Sequence, residues 1–405
     1  MDDSNRVIVV GGGPVGMITG LALASEGVPV TVLERLAGIP TDHRASTLHP
    51  STLAMLEPLG MTGEALRRGL RSPRFQFRDR AGGEIVAEFD YALLAGETPF
   101  PFALQLEQHK TTGIAEARAR RFDCFDLRRE HEVVDLRLTA DGVEVEFGLP
   151  DGSTGVLAGR YLIGCDGGRS AVRKAAGIDF PGFTWEERFI IVSTRFDFGA
   201  ANGYRYRNYI AHPDQWCAII KVPGERDEGV WRALFPAFTD QPDAEVLADE
   251  WIQARFAECL PYDPPYEIEH RNLYAIHQRV AASFRRGRAM LAGDAAHVNN
   301  PVGGMGMNSG IHDGLNLAGK LAAIWRGDGD DDLLDLYDRQ RRPMAEKYVQ
   351  AQSIRNKEML GERDPDIRRR RFDELRRTAD DPGAARAYLR RSSLIAMVEE
   401  ADAIT

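Results

Sequence analysis

The first sixteen residues constrain this chain more than any other stretch. Val7, Ile8, Val9 and Val10 form an unbroken β-branched apolar run, the pattern of a parallel strand covered on both faces. Gly11-x-Gly13-x-x-Gly16 follows at once, and Leu21, Ala22, Leu23 and Ala24 carry a helical pattern to Gly27. A second strand, Val28 to Leu33, leads into Glu34. Gly11 permits the tight turn, Gly13 allows close approach of a pyrophosphate, and Gly16 lets helix and strand pack closely. Pro14 and Val15 open the helix, whose N-terminus offers free N–H groups and about half a positive charge. Glu34 suits the two hydroxyls of an adenosine ribose and argues against a 2′-phosphate; Arg35 follows it into a loop. The motif alone reads as a site for NAD or FAD.

The 405 residues suggest about two or three structural units. With 43% apolar and 28% charged residues, the composition is that of an ordinary globular protein. A net charge of −10 disfavours nucleic acid or an anionic membrane as partner. Cys124, Cys165, Cys217 and Cys259 are scattered without a C-x-x-C spacing, so neither zinc nor a dithiol redox site is expected, and no metal. The first apolar run is too short for a signal peptide, and no stretch approaches the ~18 residues of a membrane span. A cytoplasmic protein with reduced thiols is the expectation.

Further along, Arg44-Ala-Ser-Thr-Leu precedes a helix ending at Gly60. Arg44 is either a surface arginine or a guanidinium turned toward the cofactor. Residues 72–90 read as a hairpin inserted into another sheet. Gln108 precedes a helix over Lys110 to Arg121. Strands follow at Glu132–Leu138, Val143–Phe147 and Val156–Ile163. Asp166, in Cys165-Asp166-Gly167-Gly168-Arg169-Ser170, either reaches a ribose or caps the helix that follows.

Residues 181–275 are rich in aromatic and β-branched residues, and read as a largely antiparallel sheet with strands at Phe189–Phe196, Asn208–His212, Trp216–Val222 and Val230–Phe235. A helical pattern spans about Ala244 to Leu260. Tyr204-Arg205-Tyr206-Arg207-Asn208-Tyr209 alternates rings and cations. On a strand, Tyr204 and Tyr206 share one face and Arg205 and Arg207 the other; in a loop that rule fails. The alternative is cross-strand aromatic packing with solvated arginines.

A third buried strand then ends in Gly293-Asp294, followed by His297, Pro301, Gly303, Gly304 and Gly306 before a helix over about Ser309 to Trp325. Asp294 suits a ribityl hydroxyl. The glycines expose N–H groups at a helix N-terminus, which favours an anionic ring oxygen as readily as a phosphate.

These three separated motifs, with Tyr337-x-x-x-Arg341-Arg342-Pro343, resemble the single-component flavoprotein monooxygenases of the para-hydroxybenzoate hydroxylase family over roughly residues 5–345. The resemblance implies an α/β fold: a Rossmann FAD domain of glutathione-reductase type (1–71, 98–180 and 276–345), interrupted by a mainly antiparallel β-sheet substrate domain (72–97 and 181–275), with a C-terminal helical segment (346–405). It implies FAD as cofactor and NADPH or NADH as co-substrate. It places Val15 and Gly16 at the pyrophosphate, Glu34 on the adenosine ribose, Arg44 beside the pyrophosphate and Gln108 close to FAD. It puts Asp294 on the ribityl chain, Met307 and Asn308 amides at the pyrimidine end of the flavin, and the Pro301 carbonyl in the substrate pocket. Asp166 is linked to both FAD and NAD(P)H binding.

The implied reaction is hydroxylation of a small phenolic, carboxylated or N-heterocyclic aromatic through a flavin C4a-hydroperoxide, with O₂ consumed. No protein nucleophile is needed. His297 serves packing and hydrogen bonding ahead of acting as a base. Candidate substrate contacts are Tyr204, Arg205, Tyr206, Arg207, Tyr209, His212 and Trp216. Two alternatives stand: another flavin monooxygenase on this scaffold (an epoxidase, a Baeyer–Villiger type or a reductase-fed enzyme), or a non-catalytic FAD-binding module. The partners implied are the aromatic substrate and O₂, with a homodimer left open.

Overall fold

The structure is a computed structural model that describes residues 4–139, 141–225, 229–259 and 265–405. The run Val7–Val10 lies at the centre of a six-stranded sheet because it is apolar on both faces. It pairs in parallel with Val30–Glu34 on one side and Tyr161–Gly164 on the other. Phe125–Arg129 extends the sheet beyond Val30–Glu34, and Ala289–Leu291 extends it beyond Tyr161–Gly164. The first and third motifs therefore leave the ends of strands in one sheet, although 280 residues of sequence separate them.

The expected strand Val156–Ile163 is two strands. Thr154–Gly159 closes a three-stranded meander with Glu132–Leu138 and Val143–Gly148, while Tyr161–Gly164 enters the central sheet. The break at Arg160 lets one continuous β-rich run serve two sheets. The expected helix Ala244–Leu260 is likewise two, Asp243–Val246 and Asp249–Cys259; Leu260 lies outside the described residues.

The second large sheet has eight strands. Gly182–Thr194 and Ile268–Val280 are its longest, each with register irregularities that let the sheet curve. The hairpin Arg74–Asp79 with Ile85–Asp90 joins its far edge, where Arg74–Asp79 runs parallel to Arg207–Ala211. Among the described residues this parallel pair is the one exception in an otherwise antiparallel sheet. The outer face packs Ile190, Val192, Ile219 and Trp231 on the helix Asp249–Cys259. The inner face packs Phe189, Tyr209, Leu234 and Ile276 with Val302 of the third motif.

The long helix Gly306–Arg326 begins three residues earlier than its hydrophobic pattern suggests. The helices Pro365–Asp380 and Pro382–Ser392 put Phe372, Leu375, Ala385 and Leu389 into the same apolar cluster as Phe75 and Phe89. These two helices thus cover the inserted hairpin, while Met397 and Ala401 of the last helix pack on Met344 and Tyr348. Among the described residues no helix is long and apolar enough to cross a membrane.

Candidate functional site

The glycine turn is shaped by contact and by space. Gly11 has φ +102°, and a Cβ on it would lie 2.5 Å from the Cys165 carbonyl oxygen, so a side chain is excluded twice over. A Cβ on Gly13 would meet no protein atom within 4 Å. Gly13 precedes the helix Pro14–Ser25, whose N-terminus no side chain caps. The backbone there faces open space with free N–H groups. Glu34 holds the turn: its Oε2 accepts from the Gly12 N–H at 2.6 Å and its Oε1 from the Leu36 N–H at 2.8 Å. A carboxylate has about four acceptor positions, so a ribose still finds partners on it. Arg35 is exposed.

The third motif lies against the first. Val15 packs on Gly293, and the helix Gly306–Arg326 crosses the helix Pro14–Ser25 at Gly310 and Gly314. A Cβ at Gly310 would stand 2.8 Å from Val15 Cγ2, and one at Gly314 would stand 2.1 Å from Thr19 Oγ1. The four-residue spacing of Gly306, Gly310 and Gly314 is a readable close-packing signal, which the sequence reading missed.

Asp294 is exposed at this junction yet ringed by protein. That surround raises its pKa, against the opposing charges of His297 and Arg44. Arg44 is itself exposed, with its guanidinium 3.3 Å from Asp42, and its charge reaches Asp294 across the cleft. The segment after Arg44 is tied to the Gln108 segment: Gln108 N–H donates to the Ala45 carbonyl at 2.9 Å and Leu106 N–H to the Ser46 carbonyl at 2.6 Å.

Beneath Asp294 lies a buried charged network. The Asp313 carboxylate accepts from Arg341 Nε at 2.8 Å, His297 Nε2 at 2.8 Å and the Gly293 N–H at 3.2 Å. Tyr337 donates to the Leu291 carbonyl at 2.5 Å. Burial pushes the Asp313 pKa up, but Arg341 and His297 outweigh it and bring it to about 2. His297 is therefore a fully buried hydrogen-bonding residue. Asp313 was not singled out in the sequence, because it looks like any polar residue on a helix.

The glycine segment after Pro301 is fastened by Asn308. Its Oδ1 accepts from the His49 N–H at 2.8 Å, and its Nδ2 donates to the Thr47 and Gly304 carbonyls, each at 2.7 Å. No side chain caps the helix at Gly306, so the amides of Gly306, Met307 and Asn308 remain for a ligand. Pro301 is exposed, and its carbonyl accepts from the Gly304 N–H at 3.0 Å.

Asp166 caps. Its oxygens accept from Ser170 Oγ at 2.5 Å, Ala171 N–H at 2.7 Å and Val172 N–H at 3.2 Å.

The candidate substrate residues divide. The strand begins only at Arg207, so the alternation rule does not reach Tyr204 to Tyr206. Tyr204 is buried in the outer cluster, stacked on Phe198 with the Arg78 guanidinium 4.3 Å over its ring. Arg205 is exposed and paired with Glu88 at 2.8 Å. Tyr206 sits against Trp231 and Lys221. His212 accepts from the Asp214 and Gln215 N–H groups at its turn. These four do not converge with the third motif.

Arg207, Tyr209 and Trp216 lie on the inner side, where Tyr209 and Trp216 share one apolar cluster with Val302. Arg207 is 3% exposed. It donates to Tyr209 Oη at 3.0 Å and Tyr91 Oη at 2.9 Å, and its charge adds to the burial that lowers the pKa of His49. Among the described residues no carboxylate lies within ion-pair distance of it. Tyr91 comes from the inserted hairpin, 116 residues away in sequence.

An open backbone cradle at Gly13, an accessible carboxylate at Asp294 and uncapped amides at Gly306–Asn308 fit FAD. Comparison with known proteins agrees. The FAD binding domain family matches residues 4–352. The chain is 33% identical over 392 residues to para-nitrophenol 4-monooxygenase of Pseudomonas sp. (strain WBC-3), covering 96% of this chain and 95% of that one. It is 33% identical over 362 residues to 6-hydroxy-3-succinoylpyridine 3-monooxygenase of Pseudomonas putida (strain DSM 28022 / S16), covering 89% of each. The crystal structure of p-nitrophenol 4-monooxygenase from Pseudomonas putida DLL-E4 superposes with a TM-score of 0.91 at 32% identity, covering 98% of both chains. Aklavinone-11 hydroxylase, solved with FAD and aklavinone, superposes at 0.77 and 30% identity over 89% of this chain and 70% of that one.

Proposed function

Because this chain belongs to the FAD-dependent aromatic monooxygenase family, we propose that it hydroxylates a small phenolic ring, bound as its anion against Arg207, with NAD(P)H as electron donor. FAD bound here would supply the redox chemistry between NAD(P)H and O₂. The chain's own residues hold and aim that cofactor. Gly13 to Gly16 would hold the pyrophosphate, Glu34 the adenosine ribose and Asp294 the ribityl chain. The amides of Met307 and Asn308 would face the pyrimidine end of the ring system.

The observation that carries the substrate assignment is Arg207. A buried guanidinium without a carboxylate is costly, and an anionic ligand relieves that cost. A cation beside a phenol lowers its pKa, which favours the phenolate and so the more electron-rich ring. Tyr91 and Tyr209 fix the guanidinium in place. The apolar inner face of Phe189, Leu234 and Ile276 keeps water from the reacting ring.

Arg207→Met tests this reading. A hydrogen bond to a charged group contributes about 1.5–3 kcal/mol, so KM for ionised phenols should rise roughly 10- to 100-fold while FAD stays bound. Arg207→Lys should recover part of the loss. Unchanged KM and kcat for phenols in Arg207→Met would remove Arg207 from the site.

A further inference from the structure

Cys217 and Cys259 are 42 residues apart in sequence, yet their sulfurs stand 3.1 Å apart. Cys217 opens the strand Cys217–Val222 and is fully buried; Cys259 is the last residue of the helix Asp249–Cys259 and is partly exposed. The pair lies where that helix packs on the outer face of the eight-stranded sheet. The spacing in sequence conceals it.

We propose that Cys217 and Cys259 form a reversible intramolecular disulfide, made by a peroxide-class oxidant, that staples this helix to the sheet. Three observations carry it. A disulfide needs sulfurs about 2.05 Å apart, so closure asks for a movement of roughly 1 Å. One thiol is reachable from solvent and the other is not, which is the arrangement of a peroxide-reactive cysteine backed by a resolving one. Arg80 bridges the two ends: it donates to the Gln215 carbonyl at 2.9 Å and lies 3.7 Å from the Glu258 carboxylate. Burial and the neighbouring Cys259 push the Cys217 thiol up against the weaker opposing charge of Arg80, so the partly exposed Cys259 is the sulfur that meets the oxidant.

The step balances. The Cys259 thiolate attacks one peroxide oxygen, the O–O bond breaks, and hydroxide leaves, giving a sulfenic acid. The Cys217 sulfur then attacks Cys259, the S–O bond breaks, and water leaves as the disulfide forms. Two thiols lose two electrons and two protons, and one hydrogen peroxide becomes two waters. A thiol reductant reverses it. Cys217 adjoins Trp216, and Ile210 opposite it adjoins Tyr209, so the staple stiffens the strands that bear the inner-face residues.

The test uses the full chain with FAD bound. Reduced protein is treated with stoichiometric hydrogen peroxide, free thiols are counted, and peptides are mapped without reduction. The expected result is a fall from four thiols to two, one crosslinked peptide joining Cys217 to Cys259, and a Tm higher by about 5 °C. Dithiothreitol should reverse all three. Cys259→Ser, at a partly exposed position, should fold, form no crosslink and lose the Tm rise. Cys217→Ala should leave Cys259 as an uncrosslinked sulfenic acid, trapped by dimedone. Retention of four thiols, oxidation centred on Cys124 or Cys165, or crosslinks only between separate chains would each overturn the proposal.

Discussion

Asp313→Asn is the substitution from which the cofactor site should suffer most without any change to a residue facing the cleft. The carboxylate holds three donors at once: Arg341, His297 and the Gly293 amide. An asparagine keeps one acceptor oxygen and turns an N–H₂ group toward donors. It also leaves Arg341, which is 2% exposed, as a buried cation without a counter-charge. The Asp313 pKa of about 2 against an ordinary 3.8 corresponds to about 2–3 kcal/mol of preferential stabilisation of the carboxylate. Breaking a buried pair from one side costs about 3–5 kcal/mol, so the two figures agree in scale. Thermal unfolding should show a Tm lower by about 4–6 °C. Fluorescence titration should show FAD bound about tenfold more weakly, because the Gly293 amide that carries Asp294 loses its anchor. Asp313→Leu combined with Arg341→Met removes both charges and should be less destabilised than the two single variants together. Wild-type Tm and FAD affinity in Asp313→Asn, or strict additivity in the double variant, would show that Asp313 does not anchor the cofactor site.

Two glycines separate ligand space from protein space. Gly13→Ala should unfold at the wild-type temperature without cofactor yet bind FAD about tenfold more weakly, a difference of about 1.4 kcal/mol. Gly16→Ala, whose Cβ would stand 1.9 Å from the Gly11 carbonyl oxygen, should lower Tm even without FAD. Acid should act through His49 and His312. Both are buried, and burial first, then Arg207 near His49 and Arg341 near His312, lowers each pKa to about 3. An unfolded histidine titrates near 6.5. Stability is therefore full above pH 6.5 and falls by up to about 1.4 kcal/mol per unit for each histidine as pH drops toward 3. His312→Gln should flatten the Tm–pH profile over that window; an unchanged slope would show that His312 is already charged.

What was legible in the sequence followed from how far its cause reaches along the chain. The turn from Val10 to Gly16 is a local object, so its residues report their own geometry. The third motif was legible for the same reason. Asp294 and the glycines after Pro301 sit at a strand end and a helix start. The substrate side is built otherwise. Arg207 acquires its meaning from Tyr91, on a hairpin that joins the sheet through its parallel edge, and no periodicity signals that meeting. The alternating Tyr204–Tyr209 run misleads because the strand starts only at Arg207, so Arg205 stays exposed on Glu88 while Arg207 turns inward. Asp313 was hidden because its partners come from Gly293, His297 and a later helix, and Cys217 with Cys259 because a sheet and a helix bring them together.

The stoichiometry of a single reaction decides whether this chain hydroxylates phenols. Isolated, yellow, FAD-loaded protein is mixed with NADPH or NADH, O₂ and a small phenol, and cofactor oxidation, O₂ uptake and product mass are followed together. The expected result is oxidation stimulated by the phenol, about one O₂ per nicotinamide, and a product heavier by one oxygen atom drawn from ¹⁸O₂. No stimulation by any phenol, with turnover appearing only when a separate reductase is added, would contradict it.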